Sequence, residues 1–405
     1  MPVYMWKGID RRGKKQSAEI EADNPIIARQ LLVRRGVNIL SFKPKPKDLL
    51  EYVPYLRTRI TERELVVFVR QFATLINAGL PLVQSLEILR EQQESKTFKG
   101  IIREVKRDVE AGSTFSDAIK KHPKVFDNLF VHMVAAGEVG GILDVILIRL
   151  AAYIEKLAKL KKKVKGALTY PAIVVIIAFV VMAVILIYVI PVFAGLFKDA
   201  GVKLPGLTLF VISVSDFTKR YFFWMIIGIV LLFVLVHRIR KTPRGRLRTD
   251  QLLLRVPVFG LLIRKVAIAR FTRTLGTLLS SGVPILDALN IVANTAGNAV
   301  IEEAVRESRT AIAAGRPVAD PLQETKAFPA MVTEMIAVGE ATGALDTMLE
   351  KIADFYDDEV DTTVEALTSL LEPLLLVFLG VTIGGILVAM YMPIFQLADV
   401  VSRAS

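Results

Sequence analysis

Three stretches of the chain lose their charged positions altogether. Ala172 to Ile190 and Leu374 to Met392 are each 19 residues without a charge, and Tyr221 to Val236 adds a run of 16. A helix needs about 20 apolar residues to cross the hydrocarbon core. The pattern therefore predicts three transmembrane helices, over residues 167–191, 219–237 and 370–393. The second is short, with aromatic residues at one end (Tyr221 to Trp224) and basic residues at the other (His237 to Lys241). Both kinds of residue settle at a membrane interface. Elsewhere apolar residues return at helical spacing, as in Leu65, Phe68, Phe72, Leu75 and Ile76. Thr61 with Glu64 three residues later predicts a capping box ahead of that stripe. Residues 61–166 and 264–366 read as helical bundles. The first 45 residues alternate instead. They predict strands over Val3–Ile9, Gln16–Ala22 and Asn38–Lys43, with a helix over Asn24–Arg35. Lys43-Pro-Lys-Pro-Lys47 opens a stiff, solvated linker over 46–60. The expected fold class is mainly α: a polytopic membrane protein with three transmembrane helices, two homologous cytoplasmic helical-bundle domains and a small N-terminal αβ module.

The two bundles repeat one another. Phe68, Arg70, Leu75, Gly79 and Pro81 recur 203 residues later as Phe271, Arg273, Leu278, Gly282 and Pro284. At an offset of 202, Phe126 matches Phe328, Gly137-Glu138 matches Gly339-Glu340, and Gly141 matches Gly343. Pro171 and Pro191 match Pro373 and Pro393, so the spans belong to the repeat. Agreement of this length marks one supersecondary unit used twice. Gly79 then Pro81 reads as the end of one helix and the start of the next. Glu138 and Glu340 stand in Gly-Glu-x-x-Gly turns, read as a C-cap and helix-start motif, the sharper reading being a carboxylate that contacts a partner.

Charge changes the picture next. Lys and Arg total 52 against 40 Asp and Glu, a formal charge of +12. Lysines crowd Lys156 to Lys165 before the first span, and Arg238 to Arg248 is basic after the second. The positive-inside rule puts both in the cytoplasm. Residues 192–218 then become a periplasmic connection and 238–263 a basic cytoplasmic one. The third span leaves 394–405 as a periplasmic tail. Met1 to Lys7 shows no basic region leading into an apolar run, so no cleavable signal peptide is expected. The basic run lacks aromatic interleaving and abuts a span. Anionic membrane lipid is thus a better partner for it than nucleic acid, and no nucleic-acid partner is expected.

Candidate chemistry is sparse. There is no cysteine, which excludes disulfides and thiolate metal sites. Gly8, Gly13 and Lys14 have P-loop spacing, but Lys15 stands where a magnesium-holding Ser or Thr would be. Asp10 to Gly13 reads as a hairpin turn. His122, His132 and His237 are scattered, and no hydrolase or zinc motif occurs. No catalytic residue, cofactor or metal is expected. The spans carry no ionisable group or broken helix, which counts against a small-solute transporter. Gly380 and Gly384 inside the third span would permit close helix packing. At the 202 offset, Lys156, Lys159 and Lys163 match Asp358, Asp361 and Glu365. Two equivalent helices with inverted charge would pack together, within a chain or between chains. The blander reading is topology for one stripe and solvation for the other.

Several of these segments carry a family resemblance. Phe68-x-Arg70-Gln with Gly79-Leu-Pro81, Gly137-Glu138-x-x-Gly141-x-Leu143, and Lys163 through Tyr170-Pro171 into Ile190-Pro191-Val-Phe193 are among them. So are Met392-Pro393-Ile-Phe395, Leu204 to Thr208 and Arg255 to Gly260. Over nearly its whole length the chain resembles the type II secretion F and type IV pilus platform family. Tyr4-Met-Trp6-Lys-Gly8 resembles the pilus branch more than the secretion branch. The resemblance implies a non-enzymatic platform in the bacterial inner membrane, N-terminus cytoplasmic and C-terminus periplasmic. Implied partners are hexameric assembly and retraction ATPases, pilin subunits and other inner-membrane pilus proteins. The implied role couples ATPase motion to pilin insertion or extraction. With Gly380 and Gly384, the resemblance also implies a homo-oligomer, a dimer first.

Overall fold

The computed structural model describes residues 3–9, 15–21, 24–34, 38–44, 60–199, 204–257 and 259–404. The expected turn at Asp10 to Gly13, Lys14 of the P-loop-like spacing, and all but the last residue of the 46–60 linker fall outside them.

The N-terminal unit is a three-stranded antiparallel sheet with one helix. Strands β1 (Val3–Ile9), β2 (Lys15–Glu21) and β3 (Asn38–Pro44) lie in the order β2-β1-β3. Both pairings are antiparallel, and the β1–β3 register shifts between Lys7 and Gly8. Alternate residues Tyr4 and Trp6 turn to one face. There Tyr4 packs with Ala28, and Trp6 with Leu32, both from α1 (Pro25–Arg34). Tyr4 also stacks on Phe42 with ring centroids 5.0 Å apart.

Two copies of a helical array make up the remainder. The first comprises α2 (Glu62–Asn77), α3 (Leu82–Gln92), α4 (Lys96–Glu110), α5 (Phe115–Lys120) and α6 (Asn128–Gly140). It ends in the long α7 (Leu143–Val184). The expected capping box is present: Glu64 N–H donates to the Thr61 hydroxyl, and Glu64 accepts from the Thr61 N–H. The second copy runs α11 (Phe259–Ser280), α12 (Ile285–Thr295), α13 (Ala299–Ala313), α14 (Ala319–Glu324) and α15 (Ala330–Thr342). Its long helix is α16 (Leu345–Ala404). Gly79 and Gly282 occupy equivalent left-handed turns, φ +83° and +81°. The N–H groups that follow each donate to equivalent carbonyls, Leu80 to Leu75 and Val283 to Leu278.

Among the described residues three helices are long and apolar enough to cross a membrane. The first is not uniform. α7 passes through a π-helical turn, Ile185–Val189, into α8 (Ile190–Asp199). The second, α9 (Gly206–Arg240), begins well before residue 219, so much of the expected 192–218 connection is itself helical. The basic connection after it is also a helix, α10 (Pro243–Arg255), entered through a Thr242 cap. The third span is part of α16, which runs unbroken through Pro373 and Pro393. At 60 residues and 1.5 Å per residue, α16 is a rod of about 90 Å. It joins the second helical array directly to the membrane, as α7 joins the first.

Candidate functional site

The repeated motif residues divide the work of holding each array to its rod. Gly137 and Gly339 lie where two helices of a hairpin approach. A Cβ on Gly137 would fall 2.9 Å from Ile146 Cγ1, and one on Gly339 would fall 3.0 Å from Met348 Cβ. Gly141 and Gly343 are left-handed C-caps, φ 67° and 71°. Between them each glutamate reaches back to a short helix. Glu138 accepts from Phe115 and Ser116 N–H at 2.6 and 2.9 Å. Glu340 accepts from Val318 N–H at 2.8 Å and Ala319 N–H at 3.3 Å. A carboxylate here satisfies two orphan donors at the positive end of a helix. The cap partner twenty-odd residues upstream has no sequence signal of its own. Asp127 caps α6 through the Phe130 N–H.

Arg70 and Arg273 tie the first helix of each copy to its rod. Arg70 Nε donates to Glu155 at 2.6 Å, and Arg273 Nη2 to Asp357 at 2.5 Å and Asp354 at 2.8 Å. The Glu155 hydrogen bond holds the Arg70 guanidinium above its usual range. Glu155 and Asp357 are equivalent at the 202 offset. The repeat could have identified both as partners of the paired arginines.

The two rods lie side by side and run in the same direction. Lys156 is 2.9 Å from Asp354, and Lys163 is 2.5 Å from Asp361 and 3.9 Å from Glu365. The two shorter pairs run at an offset of 198, one helical turn from the 202 of the repeat, whereas the longer Lys163–Glu365 pair keeps the 202 offset. Lys159 and Asp358 make no ion pair with any described residue. Below the ion pairs the Tyr153 and Thr274 hydroxyls meet at 3.1 Å in the interior. Arg149 donates to the Ser280 carbonyl. Each step of seven residues returns to the same helix face, which keeps parallel helices in contact.

Inside the spans the repeated prolines matter through what they cannot donate. In α16 the carbonyl four residues before Pro393 belongs to Ala389, and proline has no N–H for it. The Thr208 hydroxyl of α9 donates to it instead, at 2.5 Å. In the first span the π turn has Ile190 N–H bonding Ile185. The next carbonyl in that register, Leu186, would need the N–H of Pro191. The Ser215 hydroxyl of α9 donates to Leu186. Thr208 and Ser215 are seven residues apart on one face of α9, so one helix repairs both copies. Around them Ile190, Val211, Ile386, Ala389 and Met390 form a buried cluster. Pro171 is buried and Tyr170 exposed. At Gly380 and Gly384 an added Cβ would meet nothing within 4 Å, so among the described residues neither is packed against a second helix.

Part of the basic run is also consumed internally. Asp250, 2% exposed, accepts from Arg240 and from the Ala299 N–H, both at 2.9 Å. Arg246 is 3.1 Å from Glu302. Thus α10 fastens the second span to the second array. Asp250 was not singled out by the sequence, because a lone acid in a basic stretch reads as surface. Among the described residues no group of three or more His, Asp or Glu is arranged to hold a metal.

Comparison with known proteins agrees with this duplicated architecture. Residues 68–191 and 271–393 each match the family described as type II secretion system protein F, and residues 1–43 match that family's N-terminal domain. The chain is similar to the type IV pilus assembly protein PilC of Myxococcus xanthus. The two are 50% identical over 404 residues, 98% of this chain and 95% of that protein. With PilC of Thermus thermophilus it shares 45% over 405 residues, 99% of this chain and all of the relative. Type II secretion system protein F of Vibrio cholerae is 33% identical over 413 residues, covering both chains fully. A duplicated helical array, three membrane helices and full-length similarity make this multi-pass membrane protein a member of the type II secretion system protein F family.

Proposed function

We propose that the chain is the inner-membrane platform protein of a type IV pilus assembly machine. It couples the motion of a cytoplasmic hexameric ATPase to insertion or extraction of pilin. The observation that carries this reading is the pair of rods. Each continues from a helical array into a span, so displacement of an array moves a membrane helix without an intervening hinge loop. The pilus branch is favoured over the secretion branch by identity, 50% and 45% to proteins named for pilus assembly against 33% to one named for secretion. In this reading the arrays and the N-terminus are cytoplasmic, the C-terminus is periplasmic, and the protein is not an enzyme. The charged seam sets how the two rods meet. The open Gly380 and Gly384 face supports a homo-oligomer.

Deletion of the gene in its own host tests this. The expected result is a cell without surface pili whose pilin accumulates in the inner membrane, with secretion of folded periplasmic proteins unchanged. Normal piliation with lost secretion would move the protein to the secretion branch. ATP hydrolysis by the purified chain, or solute flux in liposomes, would overturn the platform reading.

A further inference from the structure

A groove of about 570 Å³ opens between α7 and α11 where the first rod passes from its lysine run into its apolar run. Along α7 its lining changes character in order. Lys161 and Lys165 come first, interleaved with Leu160 and Val164, then Leu168 and Thr169, and then Ala172 and Ile173 inside the uncharged stretch. The spacing of 161, 165, 168 and 172 places these residues on one helix face. Arg270 lines the groove from α11, so its cations come from two separate helices. Lys161 is already paired with Glu62. Lys165 and Arg270 make no ion pair with any described residue. The groove is therefore apolar along most of its surface, with Lys165 and Arg270, neither of them ion-paired, on its lining at the lysine-run end.

We propose that this groove is a binding site for an anionic glycerophospholipid. Its headgroup phosphate lies between Lys165 and Arg270, and an acyl chain lies along Leu168, Ala172 and Ile173. A basic pocket between helices at the membrane surface selects anionic headgroups over zwitterionic ones. A soluble anion would use the cations but not the floor. An uncharged hydrophobe would use the floor but leave the cations unmatched. The proposal rests on the span and the groove, and stands independently of the pilus reading.

Native mass spectrometry of the full chain, titrated with phosphatidylglycerol or with phosphatidylcholine of the same acyl chains, tests it. Phosphatidylglycerol should bind at least about tenfold more tightly. The double variant K165Q/R270Q should lose that preference, whereas K162Q, one residue off the groove, should keep it. Ala172→Phe, which fills the floor and leaves the charge alone, should weaken phosphatidylglycerol binding without removing helical circular dichroism. Equal binding of the two lipids by the native chain overturns the proposal. So does a K162Q effect as large as that of the double variant, or an unaffected Ala172→Phe. Displacement of the lipid by inorganic phosphate at matching concentration would make the ligand a free anion and overturn it as well.

Discussion

The first helices of the two copies, α2 and α11, carry the same Phe-x-Arg pair but live in different surroundings. The side chain of Arg70 on α2 is 51% exposed, whereas that of Arg273 on α11 is 7% exposed. The difference arises because α11 lies against its own rod and also meets the first copy's rod through Thr274 and the Ser280 carbonyl. Packing follows suit. Ala73 of the first copy is Gly276 in the second, where a Cβ would come 3.2 Å from Leu349 Cβ. The interiors differ too. Phe68, Phe72, Phe115, Phe126 and Phe130 form a connected aromatic core in the first copy. In the second only Phe271 and Phe328 remain, with rings 4.7 Å apart. Leu275, Val318 and Val332 fill the other places and are buried. Core volume can thus be redistributed within one fold. The left-handed glycine turns and the glutamates that reach back to α5 and α14 did not change, because they answer to specific donors and to positive φ rather than to volume.

The largest test of that equivalence is at the capping glutamates. Glu138→Ala and Glu340→Ala each leave two N–H groups without their carboxylate and should each cost about 2–3 kcal/mol. Thermal unfolding of the full chain would measure the loss, and amide hydrogen exchange at α5 or α14 would localise it. If only one copy responds, the glutamates are not equivalent despite their geometry.

A smaller effect is expected at the membrane hydroxyls. Ser215→Ala and Thr208→Val each orphan one carbonyl and should each cost about 0.6–1.7 kcal/mol, the range for hydrogen bonds between membrane helices. Faster exchange of the amides next to Pro191 for the first variant, and next to Pro393 for the second, would read it out. A silent Thr208→Val would show that α16 tolerates its proline without help from α9.

The smallest effect belongs to the rods. Lys163→Glu should cost ~0.2–1 kcal/mol because the pair is partly exposed. Adding Asp361→Lys should restore the contact, measured as recovery of a disulfide cross-link between cysteines placed on the two rods. A double variant no better than the single one would leave the seam to its apolar residues.

Much of the architecture was legible from pattern alone. An uncharged run long enough to cross a bilayer has few alternatives, and a helix stripe with Thr61 and Glu64 at its head fixes a helix start. The repeat marked Gly137, Glu138, Gly141 and their counterparts as parts of one turn. Other features escaped because their cause lies far off in the chain. The π turn ahead of Pro191 has no marker that separates it from the unbroken helix ahead of Pro393. Asp250 gave no sign of burial, since its partners Arg240 and Ala299 N–H come from different helices.

The amino-acid sequence determined the spans, the helical arrays, their duplication and the positions of the caps. All of these depend on local periodicity, on residues within a turn or two, or on comparing the chain with itself. Only the tertiary structure decided which donor each glutamate serves, which hydroxyl answers each proline, and that the rods meet one turn away from their repeat register. Those outcomes depend on how long helices lie against one another. That is set by the summed packing of many side chains rather than by any residue pair that the sequence brings together.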